Sequence, residues 1–173
     1  SEEFAAAVAE VSAANGIVTF LCDRAAPTPT VTYNLVLRKA GGGAVITASH
    51  NPARWNGFKY KPDYGGSASP EIVEELERHI AHAQTTGTVQ HMSLEGAQAK
   101  GLLEYIDPEP AYLGHLATLV DLEGIRQAGL KVVVDPMFGA GAGFFSNLLS
   151  GGSTTVIELH GERNPAFPGM SQP

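Results

Sequence analysis

A serine and a histidine stand side by side at the end of a short apolar run, and several basic side chains follow them. Residues 44–47 are mostly apolar and β-branched, which predicts a buried strand. Pro52 biases the preceding residue away from helical backbone, so Ser49 and His50 are expected on a tight loop at the carboxyl end of that strand. The basic residues downstream are Arg54, Lys59 and Lys61. A hydroxyl, an imidazole and nearby cations predict a site for an anion.

The serine–histidine pair alone leaves its chemistry open. In most proteins such a pair in a turn is only part of the turn. A serine hydrolase would use the two side chains as nucleophile and base, but Thr47 and Asn51 stand where the nucleophile elbow has glycines. Adjacent residues also rarely reach the geometry of a catalytic triad.

The hairpin that follows the loop gives a more specific pattern. Asn56-Gly57 is a strong turn signal, and residues 58–61 alternate between aromatic residues and lysines. The run Thr47-Ala48-Ser49-His50-Asn51-Pro52, followed by Asn56-Gly57 and Lys59, closely resembles the active-site loop of the α-D-phosphohexomutases. This family comprises the phosphoglucomutases and phosphomannomutases. In that family the serine gives a phosphoryl group to a sugar phosphate and takes one back from the bisphosphate intermediate.

The resemblance implies roles for five residues of this sequence. Ser49 would carry the phosphoryl group. Lys59 is the first candidate for the acid–base residue and His50 is the second, since a sugar hydroxyl must lose a proton when it attacks. Asn51 and Arg54 would contact substrate. The implied activity is the interconversion of sugar 1-phosphates and 6-phosphates, with phosphoglucomutase as the expected specificity.

The same resemblance implies a magnesium ion and a bisphosphate activator, glucose 1,6-bisphosphate. Mg²⁺ prefers oxygen ligands, and the phosphate on Ser49 would be one of them. In the hexomutases the carboxylate ligands come from an Asp-rich loop of the second domain. This sequence has no such loop, so the remaining ligands are expected outside the chain. A small-molecule sugar phosphate and the remainder of the same polypeptide are the expected partners.

Composition and charge argue against several other classes of protein. Charged residues make up 17% of the 173 residues and hydrophobic residues 43%, which fits a globular protein with a core. The net charge of −7, with no basic stripe, argues against nucleic-acid binding. The single cysteine, Cys22, excludes a disulfide framework within the chain. No apolar run reaches membrane length and no signal-peptide pattern opens the chain, so a cytoplasmic location is expected.

Helical and strand patterns alternate along the chain, which predicts an α/β fold with a largely parallel sheet covered by helices. The expected architecture is a three-layer α/β/α arrangement with a mixed, mainly parallel sheet, followed by the start of a second similar unit. Residues 1–100 are assigned to hexomutase domain 1, without its N-terminal strands, and residues 101–173 to the first part of domain 2. The chain is therefore expected to be an N-terminal fragment that is inactive alone.

A second anion-binding candidate is the glycine-rich segment 139–143, which follows a predicted strand at 131–134 and precedes a predicted helix at 144–149. Such a segment can cradle a nucleotide phosphate. A lone glycine cluster is a weak signal, and no acidic partner is recognisable. We therefore interpret these glycines as a tight strand-to-helix turn. A non-catalytic sugar-phosphate or nucleotide-binding domain is the alternative function.

Overall fold

The computed structural model describes residues 1–170 as an arrangement of short helices and strands. In chain order these are α1 (Glu2–Ala14), β1 (Thr19–Cys22), α2 (Thr28–Leu37), β2 (Gly42–Ile46), β3 (Phe58–Pro62), α3 (Pro70–Thr86), α4 (Leu94–Ala99), β4 (Leu103–Ile106), α5 (Glu109–Leu119), α6 (Leu122–Gln127), β5 (Lys131–Val134), α7 (Phe144–Leu149) and β6 (Thr155–Glu158).

The strands pair two by two. β1 lies parallel to β4 and β5 lies parallel to β6, while β2 and β3 form an antiparallel hairpin. Helix α1 contacts both β1 and β2, and α2 packs on β2 and on α5. The predicted α/β class, with mainly parallel pairing and one antiparallel hairpin, is confirmed.

The main core forms where α1 packs on a helix that the sequence patterns did not reveal. The buried members of this core are small or aliphatic: Ala9, Ala13, Ala97 and Leu103. Ala97 belongs to α4, within a polar stretch that has little helical periodicity. The Ser93 side chain caps this short helix by accepting a hydrogen bond from the Gly96 amide at 3.1 Å.

Helix α3 is capped at both ends, but its apolar face is not buried in the described structure. Ser69 is its N-cap and Gly87, with φ of 66°, ends it in the left-handed conformation. The apolar spacing of Ile72, Leu76 and Ile80 predicted a buried face, yet no residue of α3 is buried in the described structure, and Ile80 is 55% exposed. The acidic side chains on its other face are exposed.

The second half of the chain follows the predicted order. β5 and α7 have the bounds that the sequence predicted, and β6 pairs with β5 in register from Lys131 opposite Thr155. Strand β4 lies beyond residue 100 and pairs with β1, so one sheet draws on both sides of the predicted domain boundary. The boundary itself stays a prediction. Among residues 1–170, no helix is both long and apolar enough to cross a membrane.

Candidate phosphate-carrying site

The candidate site is the loop that connects β2 to β3. The Thr47 amide donates a hydrogen bond to the Gly57 carbonyl at 2.9 Å, which closes the loop at its base. A Cβ on Gly57 would lie 2.7 Å from the Thr47 carbonyl oxygen, closer than a Cβ can approach a backbone atom. Glycine at 57 therefore permits the two strands to meet at this point. The turn predicted at Asn56-Gly57 is wrong: the turns of this loop lie at residues 49–50 and 53–54, and Gly57 instead pairs with Thr47 just before β3.

Ser49 lies in the first turn of this loop and is exposed. Its φ of 58° places it in the left-handed region, which costs a non-glycine residue about 1–2 kcal/mol. Two hydrogen bonds hold the bend: the Ser49 amide donates to Oγ1 of Thr47 at 3.0 Å, and the Asn51 amide donates to the Ala48 carbonyl at 3.1 Å. Unusual backbone of this kind persists only where the surrounding contacts maintain it. It concentrates at functional sites.

The Ser49 hydroxyl contacts the side chain of its neighbour. Oγ of Ser49 lies 3.2 Å from Nδ1 of His50, and both residues are exposed. An imidazole at hydrogen-bond distance can accept the hydroxyl proton or return it, depending on its tautomer. The structure thus brings together two of the predicted site residues at the carboxyl end of β2.

Of the predicted cations, Arg54 lies in the loop itself, and Lys59 and Lys61 lie on β3. Lys59 lies opposite Val45 and Lys61 opposite Gly43, so both lysines share one face of the hairpin. The aromatic residues of β3 occupy the other face, as the alternation predicted. The Arg54 guanidinium lies 5.6 Å from the ring centre of Trp55. Within residues 1–170, no hydrogen bond or ion pair joins these cations to the Ser49 hydroxyl.

The start of α1 is attached to the same loop. Oγ of Ser1 donates a hydrogen bond to Oδ1 of Asn56 at 3.1 Å. One residue further along, the Glu2 carboxylate forms an ion pair of 3.0 Å with Arg163, from the last described loop of the chain. These contacts place residues from both ends of the described chain beside the serine loop.

Sequence reasoning missed a cluster of charged and polar side chains at the end of β1. Arg24 contacts the carboxylates of Asp23, Asp107 and Glu109, and Glu109 also accepts a hydrogen bond from Asn147 at 2.7 Å. Glu109 is only 8% exposed. Desolvation lowers the Arg24 pKa, but hydrogen bonds to Glu109 and Asp107 outweigh it and raise the pKa. Recognition of β4 as a parallel neighbour of β1 would have indicated this cluster, because carboxyl ends of parallel strands share an edge.

A second missed contact joins the ends of β5 and β6. Nδ1 of His160 lies 3.0 Å from the Asp135 carboxylate, and the His160 ring packs on Phe138. The Met137 amide, as the largest cause, and His160 lower the Asp135 pKa. Nearby, the Gly143 amide donates to Oε1 of Glu158 at 2.8 Å. The Glu158 carboxylate thus accepts a hydrogen bond from the last amide of the glycine-rich segment 139–143.

The residues described here do not by themselves form a metal centre. Between residues 1 and 170, no group of three or more histidine, cysteine, aspartate or glutamate side chains is arranged to hold a metal ion. The Ser49 hydroxyl is exposed and has no carboxylate among its hydrogen-bond partners in this region.

The fold and this loop define an α/β protein that presents an exposed serine at a strand end. Two family models match the chain in succession. The model of phosphoglucomutase/phosphomannomutase α/β/α domain I matches residues 1–87, and the model of domain II matches residues 110–173. The chain therefore belongs to the phosphoglucomutase/phosphomannomutase family.

Individual relatives agree with this family. A phosphoglucomutase of Komagataeibacter xylinus is 28% identical over 172 residues, covering 94% of this chain and 31% of the relative. A phosphoglucosamine mutase of Limosilactobacillus reuteri is 33% identical over 133 residues, covering 77% of this chain and 28% of the relative. A solved structure from Thermus thermophilus, named provisionally as a phosphomannomutase, matches with a TM-score of 0.80 and 32% identity, covering 96% of this chain and 36% of that one. The chain thus spans about a third of its relatives' length.

Proposed function

We propose that this chain supplies the phosphate-carrying serine of a phosphohexomutase, with Ser49 as the carrier. The observation that supports the proposal most directly is the Ser49 loop, in which an exposed hydroxyl contacts an imidazole on a bend of unusual backbone. Membership of the phosphoglucomutase/phosphomannomutase family supports it independently. The activity, substrates and partners of the whole protein are part of the proposal, because the chain spans only a part of its relatives' length.

The proposed reaction consists of two phosphoryl transfers, one from phospho-Ser49 to the sugar phosphate and one from the resulting bisphosphate back to Ser49. A hydroxyl oxygen of the sugar phosphate attacks the phosphorus on phospho-Ser49, and the bond from phosphorus to Oγ of Ser49 breaks. The sugar hydroxyl gives its proton to a base, for which Lys59 is the first candidate and His50 the second, and Oγ of Ser49 takes up a proton. The reverse transfer from the other end of the bisphosphate restores phosphoserine, so atoms and charge balance over the cycle.

Charge neutralisation is the main task of the protein in such a transfer. A phosphoserine carries a charge of about −1.5 to −2 near neutral pH, and the incoming sugar phosphate would be repelled without nearby cations. Arg54 and Asn51 are the proposed substrate contacts in this chain. Mg²⁺, with ligands from outside the chain beside the phosphate on Ser49, would supply further positive charge when bound.

The proposed substrate is a hexose phosphate, with glucose phosphate as the first choice and glucose 1,6-bisphosphate as the activator. The relatives bear the names phosphoglucomutase and phosphoglucosamine mutase. We further propose that residues 1–100 and 101–173 belong to successive domains, and that the isolated chain has no mutase turnover because most of the substrate cleft lies in the remaining polypeptide.

Phosphate uptake at Ser49 tests the carrier role without requiring turnover. The longer polypeptide that contains this chain is incubated with glucose 1,6-bisphosphate, and the modified residue is identified by mass spectrometry. We expect one phosphoryl group on Ser49, none in Ser49→Ala, and normal uptake in the control Ser67→Ala, which alters another exposed serine. Binding of sugar phosphate without phosphate transfer would favour the non-catalytic alternative. Acylation of Ser49 by an activated ester, without phosphate uptake, would favour a hydrolase.

A further inference from the structure

The hydroxyl of Thr47 bonds directly to the backbone of Ser49. Thr47 immediately follows β2, and its Oγ1 accepts a hydrogen bond from the Ser49 amide at 3.0 Å. Among residues 1–170, no other side chain forms a hydrogen bond with the backbone of Ser49. The position of the serine therefore depends on the chemistry of one neighbouring side chain.

Thr47 itself is held by the β2–β3 hairpin. Its amide donates to the Gly57 carbonyl at 2.9 Å, next to the last ladder pair, in which Ile46 lies opposite Phe58. Thr47 is half-buried, whereas Ser49 is exposed. A β-branched side chain also has few χ1 rotamers, so the hydroxyl keeps its place with little freedom. The hydrogen bond from this hydroxyl thus connects the exposed loop to the strand pair.

The backbone at Ser49 is of a kind that needs such a contact. Its φ of 58° lies in the left-handed region, which is unfavourable for a residue with a Cβ and persists only where other contacts maintain it. The bond from the Asn51 amide to the Ala48 carbonyl joins backbone atoms only, so it does not depend on the side chain at position 47. The bond from the Ser49 amide, in contrast, needs an acceptor on that side chain.

The bend determines where the Ser49 hydroxyl lies. Oγ of Ser49 is 3.2 Å from Nδ1 of His50, and both residues are exposed. Phosphoryl transfer requires the attacking oxygen, the phosphorus and the leaving oxygen to lie roughly in line. A displacement of about 1 Å can slow an enzymatic reaction about 100-fold. Loss of the contact that fixes the bend should therefore slow the transfer even when substrate still binds.

Threonine side chains can bond to an amide two residues further on simply to stabilise a turn. The contact of Thr47 differs in the residue that it holds. That residue combines left-handed backbone with an exposed hydroxyl beside an imidazole. The precise position of Ser49 thus has a chemical consequence beyond the stability of the turn.

We propose that Thr47 is a positioning residue for phosphoryl transfer. Its Oγ1 accepts the hydrogen bond of the Ser49 amide and so orients the Ser49 hydroxyl toward the transferred phosphorus. The inference rests on the proposed function, in which Ser49 carries the phosphoryl group. It requires a hydrogen-bond acceptor at position 47, and valine, which has the shape of threonine but no acceptor, cannot meet this requirement.

The rate of phosphate uptake in variants of the longer polypeptide tests this role. Thr47→Val removes the acceptor, Thr47→Ser keeps it, and the matched control Thr118→Val removes an exposed hydroxyl that bonds to the His115 carbonyl within α5. With glucose 1,6-bisphosphate as donor, Thr47→Val should lower the maximum rate of uptake at Ser49 by about 10- to 100-fold, with the half-saturating donor concentration little changed. Thr47→Ser and Thr118→Val should keep the wild-type rate.

A merely structural role of Thr47 gives a different result. It would lower the fraction of folded chain, and with it the final extent of phosphate uptake, but the rate constant of the folded fraction would stay the same. A wild-type rate constant in Thr47→Val would overturn the positioning role and leave Ser49 as the carrier. Failure of Thr47→Ser to restore the rate would overturn it equally.

Hydrogen exchange at the Ser49 amide tests the same contact without phosphate. In the unphosphorylated longer polypeptide, Thr47→Val should speed exchange of this amide about fivefold, the factor expected for loss of one neutral hydrogen bond, and Thr47→Ser should not. Absence of phosphate uptake in the wild-type protein would contradict the proposed function, and the exchange rates would then decide the role of the contact by themselves. Equal exchange in Thr47→Val and in the wild type would overturn the inference.

Discussion

Nη2 of Arg24 lies 3.1 Å from Oε2 of Glu109, and this contact joins the end of β1 to the start of α5, 85 residues further along the chain. The Glu109 carboxylate accepts a second hydrogen bond from Asn147 of α7. One buried acidic side chain thus connects the β1–β4 sheet with the region that matches the family's second domain. The contact bears on stability, because buried carboxylates are costly without partners.

Loss of the Glu109 carboxylate should destabilise the fold. Glu109→Ala leaves Arg24 and Asn147 without this acceptor, and we expect a loss of about 2 kcal/mol in the free energy of unfolding, measured in urea. The matched control is Glu104→Ala, which removes an exposed carboxylate 3.8 Å from Arg38. Exposed pairs contribute little, so the control should change stability by less than about 0.5 kcal/mol. Equal effects of the two variants would contradict a structural role for Glu109.

Any side chain at position 57 should open the base of the serine loop. Gly57→Ala places a Cβ 2.7 Å from the Thr47 carbonyl oxygen, and we expect a cost of about 1–3 kcal/mol from this overlap together with slower phosphate uptake at Ser49. Gly114→Ala is the control, because a Cβ there has no heavy atom within 4 Å and the residue lies inside α5. That variant should be neutral or stabilising by up to about 1 kcal/mol. Thermal unfolding and phosphate incorporation measure the two effects.

The backbone strain at Ser49 should be separable from its proposed chemistry. Glycine tolerates the left-handed region, so Ser49→Gly should be more stable than Ser49→Ala by about 0.5–1 kcal/mol, once the greater freedom of glycine in the unfolded chain is subtracted. This corresponds to roughly 2 °C in Tm for a chain of this size. Neither variant should accept phosphate at position 49. A less stable glycine variant would indicate that the bend is not strained.

Asp135 should contribute to stability in a pH-dependent way. Its pKa is lowered, first by the Met137 amide and then by His160. Because the folded-state pKa is below the unfolded one, this contribution is fully present above the unfolded-state pKa and is lost as the pH falls through the folded-state pKa. A carbon NMR titration should show that His160→Ala raises the Asp135 pKa only in part, since the Met137 amide remains. Full return to the ordinary aspartate pKa would contradict the larger role of that amide.

The control for that titration is His79→Ala. His79 pairs with Glu75 on α3 and has no contact with Asp135 in the described structure. This variant should leave the titration of Asp135 unchanged.

Local patterns predicted most of the secondary structure and the serine loop. The bounds of β5 and α7 could be predicted because each is a short, mostly apolar segment with clear glycine or polar boundaries. Helix α4 was missed because it is six residues long and has little periodicity. The Ser93 cap and the burial of Ala97 stabilise it in the folded chain. The burial of α3 was predicted wrongly, because an apolar face in a sequence does not specify what covers it.

The sequence by itself determined the order of most helices and strands, the tight turn at Ser49 and the alternation of lysines and aromatic residues along β3. Each of these depends on backbone preferences and side-chain periodicity over a few residues. Only the tertiary structure decided that β4 pairs with β1, that Arg24 meets Glu109 and Asn147, and that β1 and β2 line a common cavity. Those contacts join residues far apart in the chain, and their partners are selected by the packing of whole elements, which no local pattern specifies.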